Sequence, residues 1–145
     1  MKRHLLLSAL VFLSSSALAQ VGNLTSKLAN LKLDLSSPIT SINGTQLASA
    51  LAGLAKLQGY TCGRSETYRL YAPPAAQSSL RRSAGKQGLT YQKLSETRSD
   101  SGWTFTLFRV GGKGQNVIGQ NIIGSWAISP DLQGGTLALC EAKKK

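Results

Sequence analysis

Histidine is almost missing from this chain, and acid is scarce. Among 145 residues there is one histidine, and six carboxylates stand against seventeen lysines and arginines. The histidine, His4, lies in an N-terminal stretch that has the layout of a leader. The remaining chain therefore lacks the usual general base at neutral pH and the commonest zinc ligand, which excludes Ser-His-Asp, Cys-His and His-rich metal constellations from it. Two cysteines with no histidine beside them do not make a metal site, and no motif calls for a cofactor.

The six carboxylates are Asp34, Glu66, Glu96, Asp100, Asp131 and Glu141. Glycoside hydrolysis needs two of them facing across a cleft. Asp100 and Asp131, however, fall in turn sequences where they bond their own backbone, and Glu66 and Glu96 read as exposed strand positions. Serine and lysine are plentiful, but no short motif sets a serine-lysine pair. The chain reads as a protein that is not an enzyme.

Long apolar runs are also lacking. Leu5 to Leu13 is well short of the roughly 20 residues of a membrane span. Preceded by Lys2 and Arg3 and followed by Ala17-Leu18-Ala19, it predicts a signal peptide over 1–19, cleaved between Ala19 and Gln20. The expected product is exported, periplasmic or extracellular, with no membrane span after cleavage and one small domain over 20–142. No cysteine near the cleavage point suggests a lipid anchor.

Without Lys2 and Arg3, fifteen basic and six acidic residues remain, a net charge of +9. Such a surface favours nucleic acid, anionic headgroups, acidic glycans or an acidic protein face, and charge alone does not choose among them. Cys62 and Cys140 are an even pair in an exported chain, which predicts a disulfide. The tail Lys143-Lys144-Lys145 offers nothing to bury and is expected to be disordered.

What the chain does have is clear punctuation. Leu24, Leu28, Leu31, Leu33 and Leu35 suggest a loose or helical lead-in to a short strand at 31–35. Asn43 as cap, Gln46 as its reciprocal partner and an Ile42–Leu47 staple then open a helix near 44–58, with Leu47, Leu51, Leu54 and Ala55 along it and Gly59 closing it. A strand follows from Tyr60 to Ala72. A second helix near 74–87 opens at Pro74 and places Arg81, Arg82 and Lys86 in water.

Thr90–Thr97 and Trp103–Val110 read as strands about the turn Ser99–Gly102, with Trp103, Phe105 and Leu107 on one face and Thr104 and Thr106 on the other. Gly111 to Gly114 is glycine-rich and carries Lys113, but it leads into Val117-Ile118 rather than a helix, so a hairpin turn fits better than a phosphate cradle. Ile118 to Ile128 and Thr136 to Cys140 are the last strands. The predicted fold is α+β: two helices packed on one side of a largely antiparallel sheet with a C-terminal β-meander.

The two matches to the N-glycosylation pattern, Asn23-Leu24-Thr25 and Asn43-Gly44-Thr45, matter only in a eukaryotic secretory route, and the short leader does not favour that route. Arg64, Arg69, Arg81 and Arg82 interleave with Tyr68 and Tyr71, so a basic face with stacking rings is one reading and a solvated basic surface the other. With Lys86 and Lys113, these arginines are the candidate contacts for an acidic partner.

Residues 51–59 and 80–88 are both helix-glycine units leading into a strand, with leucine, alanine, glutamine and glycine coinciding at a shift of 29. This pair of units, over roughly residues 31 to 110, resembles the short N-terminal domain of secretins and TonB-dependent receptors. The chain departs from that pattern in its shorter strand region between the helices, its cysteine pair and the lack of a pore or receptor afterwards. The resemblance implies an exported binding or assembly module of the cell envelope with a protein partner; binding of nucleic acid or another acidic polymer is the alternative.

Overall fold

The computed structural model describes residues 24–36, 38–112 and 121–145, so the leader expected at 1–19 and Lys113 with its expected turn lie outside the described residues. In chain order come β1 (Leu24–Ser26), a 3-10 turn (Leu28–Asn30), β2 (Leu33–Leu35), β3 (Ile39–Ser41), α1 (Thr45–Leu57), β4 (Tyr60–Leu70), α2 (Pro73–Lys86), β5 (Thr90–Arg98), β6 (Thr104–Gly111), β7 (Asn121–Ile128) and β8 (Gly135–Lys144). One sheet has the order β3-β4-β8-β7-β6-β5, every pairing antiparallel, and β1-β2 forms a small second sheet. The fold is α+β with a meander from β5 to β8, as the turn-bounded strands predict.

The helices do not share a side. Along β8, Leu137 and Leu139 join one core with Ala76, Leu80 and Ala84 of α2, while Ala138, Cys140 and Ala142 join another with Leu51 and Ala55 of α1. Successive strand residues point to opposite faces, so α1 covers one face of the sheet and α2 the other, together with the β1-β2 hairpin. The one-sided packing expected from sequence is corrected by this. Small side chains on β8 look like a weak strand face in sequence, yet they let the alanine-rich α1 sit close.

Strand β6 is likewise covered on both faces. Thr106 is buried beside Phe108 and Val110, whereas Phe105 is 45 % exposed, so the expected division into an apolar and a threonine face is reversed there. Tyr91, Phe108 and Trp126 stack in series with ring centroids 4.9 and 5.4 Å apart, and Trp126 Nε1–H donates to Tyr91 Oη at 3.0 Å. Gly124 makes room for this stack: a Cβ there would stand 2.2 Å from Phe108 Cζ.

At the start of α1 the capping residue is Gly44, with no side-chain cap. Thr67 Oγ1 accepts the Gly44 N–H at 3.0 Å and donates to the Ile42 carbonyl at 2.7 Å, so β4 secures the helix entry that the sequence assigned to Asn43. A Cβ on Gly44 would meet Thr67 Oγ1 at 2.8 Å. The predicted lead-in is also different, since Leu24–Ser26 is a strand that pairs with β2.

Helix α2 is less of a surface element than its polarity suggests. Ser79 and Ser83 are buried. Ser83 Oγ accepts the Asp34 N–H and donates to the Lys32 carbonyl, both at 3.0 Å, and Ser79 Oγ donates to the Ser36 carbonyl at 3.2 Å. These hydroxyls satisfy the edge of β2 that β1 leaves unpaired.

The C-terminal tail is also ordered by pairing. Lys143 stands opposite Thr61, Lys144 opposite Tyr60, and the Lys145 N–H donates to the Gly59 carbonyl at 2.9 Å. Backbone hydrogen bonds, which a reading of side-chain burial does not count, replace the expected disordered tail with a strand end.

Candidate interaction surface

Cys62 and Cys140 form the expected disulfide, with sulfurs 2.05 Å apart, linking the adjacent strands β4 and β8 across the register shift between Cys62 and Ser65. With no helix among the described residues long and apolar enough to cross a membrane, the bridge is compatible with an exported protein.

The described basic residues that one reading of the sequence gathers on a single face are dispersed. Arg64 donates from Nε to Glu141 at 2.9 Å, and Glu141 also accepts the Ala29 N–H at 3.0 Å. The Arg64 hydrogen bond, then the Ala29 N–H and the charges of Arg64 and Lys143, hold the Glu141 carboxyl below its usual range, and Glu141 in turn raises Arg64. Arg69 stands on β4 opposite Thr40 and Thr136, exposed, on the sheet face that carries α1. Arg81 lies over the Tyr91 ring, 4.8 Å from its centroid. Among the described members of the set, Arg82 and Lys86 come together around one hollow, a groove between α2 and β2 lined also by Asp34 and Ser36.

The stacking rings are mostly taken as well. Tyr68 is buried, and its hydroxyl, which donates to Glu66, is pushed up by burial first and by Glu66 second. Tyr91 lies under Arg81 and against Phe108, which leaves Tyr71, 45 % exposed, as the free ring of the β4 region.

Five of the six carboxylates, Asp34, Glu66, Glu96, Asp131 and Glu141, accept hydrogen bonds within the fold. Glu66 accepts the Lys27 N–H at 3.3 Å, so Glu66 and Glu141, on neighbouring strands, fasten the turn after β1 to the sheet. That turn includes Ala29 at φ 53, a conformation that needs outside support. Glu96 accepts from Lys93 and Thr106, Asp34 from Thr25, and Asp131 from Ser129 Oγ and the Gln133 N–H. The Ser129 bond first, then the Gln133 N–H, lowers the Asp131 pKa. Among the described residues no group of three or more His, Cys, Asp or Glu is placed to hold a metal ion.

A larger open cleft of about 350 Å³ lies at the entry of α1, lined by Ser41, Asn43, Thr45, Ser65, Glu66 and Thr67 among others. Its charged group, Glu66, already accepts from Tyr68 and Lys27.

One surface was missed by sequence reasoning. On the outside of α1, Leu57 is 82 % and Leu54 43 % exposed, beside exposed Lys56, Lys144 and Lys145. The signal was present in the helix, which has more apolar residues than one buried face uses.

Comparison of the chain with protein-family models, with curated proteins and with solved structures finds no match in any of the three.

Proposed function

We propose that this chain is an exported, non-enzymatic binding or assembly module of the cell envelope, periplasmic or extracellular, that holds an acidic protein partner through the basic side of α2. The observation that carries this is the one-sided use of charge. Among the described residues only Arg64–Glu141 and Lys93–Glu96 are ion-paired, so Arg82 and Lys86 are left one turn apart with no ion-pair partner. A partner's carboxylates would supply that counter-charge. The resemblance of the two helix-glycine-strand units to the short N-terminal domain of secretins and TonB-dependent receptors supports an envelope role.

Binding of nucleic acid or another acidic polymer is the competing reading, and it has less support. Unspecific single-strand binding relies on stacked rings along a charged groove, and in this fold Tyr68 is buried while Tyr91 is occupied by Arg81.

The test is Arg82→Glu with Lys86→Glu in the exported chain, immobilised and challenged with envelope extract and with DNA. Both positions are exposed, so stability should change by no more than about 0.5 kcal/mol per site. The expected result is a single protein captured by the native chain and lost by the variant, with the difference largest at low salt, where screening is least. Retention of DNA instead, lost linearly on a log–log salt plot, supports the polymer reading. Equal capture of the same protein by native and variant chains removes α2 from the interface.

A further inference from the structure

We infer that the outer side of α1, with the lysines at the adjoining end of the sheet, is a docking surface for an anionic lipid bilayer. The inference uses none of the α2 residues, so it stands or falls separately from the reading above.

Helix α1 turns Leu51 and Ala55 inward, where both are buried. Ala50, Gly53, Leu54 and Leu57 are exposed, and their spacing of three, four and seven residues places them in one outward stripe. A helix that is apolar on two sides is normally covered on both. Among the described residues the stripe is left open at Leu57, which is 82 % exposed, and is partly covered at Leu54, which is 43 % exposed.

Charge identifies the cover. No Asp or Glu occurs between Asp34 and Glu66, so α1 itself carries no acid, and Glu66 stands at the helix entry, the end away from Leu57, where it accepts from Tyr68 and Lys27. Lys56 lies in the last turn of α1. The Lys145 N–H is held on the Gly59 carbonyl and Lys144 is paired with Tyr60, which brings two more exposed lysines to the end of the helix that carries Leu57. Because β8 is a paired strand here, these lysines are held beside the leucines.

Protruding leucines with a flank of lysines match the two layers of an anionic bilayer surface. The leucines enter the boundary of the acyl chains, and the ammonium groups remain among the phosphates. A second copy of the chain would bring the same lysines into the contact and be repelled. Nucleic acid has no layer that takes an exposed leucine pair. The clefts at the entry of α1 and beside α2 lie elsewhere.

The test is co-flotation of the exported chain, from Gln20 on, with vesicles of phosphatidylcholine mixed with phosphatidylglycerol and with vesicles of phosphatidylcholine alone. The chain should float with the anionic vesicles and not with the neutral ones. Leu54→Ser with Leu57→Ser should weaken binding at least tenfold while the protein stays folded with a modest fall in melting temperature, because Leu57 is 82 % and Leu54 43 % exposed. Neutralising Lys56, Lys144 or Lys145 to Gln should cost about fivefold each. Arg82→Glu should have a smaller effect than any of these. Failure to float with anionic vesicles overturns the inference, including the case in which the leucine variant instead loses an acidic protein partner. Binding that survives the leucine changes overturns it too, since that is the unspecific attraction of a cationic protein.

Discussion

At the scale of single residues, Glu141 ties together two segments that are distant in sequence. It receives Arg64 from β4 and the Ala29 N–H from the turn after β1, and both favour its ionised form. A carboxyl whose folded pKa lies below its ordinary value of 4.5 contributes stability that is fully present above that value and is lost as pH falls through the lower folded pKa. Glu141→Gln should therefore melt below the native chain at neutral pH, and the gap should close below about pH 4. Thermal melts across that range check it, and a gap that stays constant into acid would mean that the charge of Glu141 contributes nothing. A sequence reader sees one acid ahead of a lysine tail, because its partners lie 77 and 112 residues away.

At the scale of elements, α2 owes its place to hydroxyls as much as to apolar burial. Ser83 Oγ is donor and acceptor for the edge of β2, so removing it strands the Asp34 N–H, while the Lys32 carbonyl keeps the Gln87 Nε2–H that donates to it at 2.6 Å. Ser83→Ala should cost about 1–3 kcal/mol, the usual penalty for stranding part-buried polar groups. Faster amide exchange at Asp34, measured beside an unchanged sheet, is the expected signature. An unaltered melting temperature would show that water replaces the hydroxyl there. Helix α1 is the opposite case, with apolar residues beyond what its buried face uses, and it is this surplus that the bilayer inference explains.

At the scale of the whole molecule, the order β3-β4-β8-β7-β6-β5 puts the last strand in the middle. Four successive antiparallel pairings separate β4 from β5, so these two strands run parallel and α2 crosses from one to the other over three intervening strands. Strand β8 completes the sheet by entering between β4 and β7, and the Cys62–Cys140 bridge holds it to β4 over a separation of 78 residues. Replacing both cysteines by serine should lower stability by at most about 4.5 kcal/mol in the chain-entropy model. The native chain should resist alkylation until reduced. Ready alkylation without reductant would remove the bridge and with it the main sign of an oxidising compartment.

Both helices, the strand from Tyr60 and the meander's strands were legible because each is written locally, in the periods of 3.6 and 2 and in glycine and proline punctuation. The disulfide was legible from an even count in a chain with a leader-like start. Which face each helix takes was not, since Ala138, Cys140 and Ala142 declare a buried face only once α1 lies on them. Nor was the dispersal of the basic residues: Arg64 and Arg69 are five positions apart in sequence, but a register shift and the pleat of β4 give one to Glu141 and the other to the α1 side. The tail shows the same division, for three lysines in sequence have nothing to bury, and only the neighbouring strand, meeting them through the backbone, holds them in place. Local periodicity determines which segments are helix or strand; pairing between distant segments decides which side chains meet, and the surfaces proposed for recognition are made at that second level.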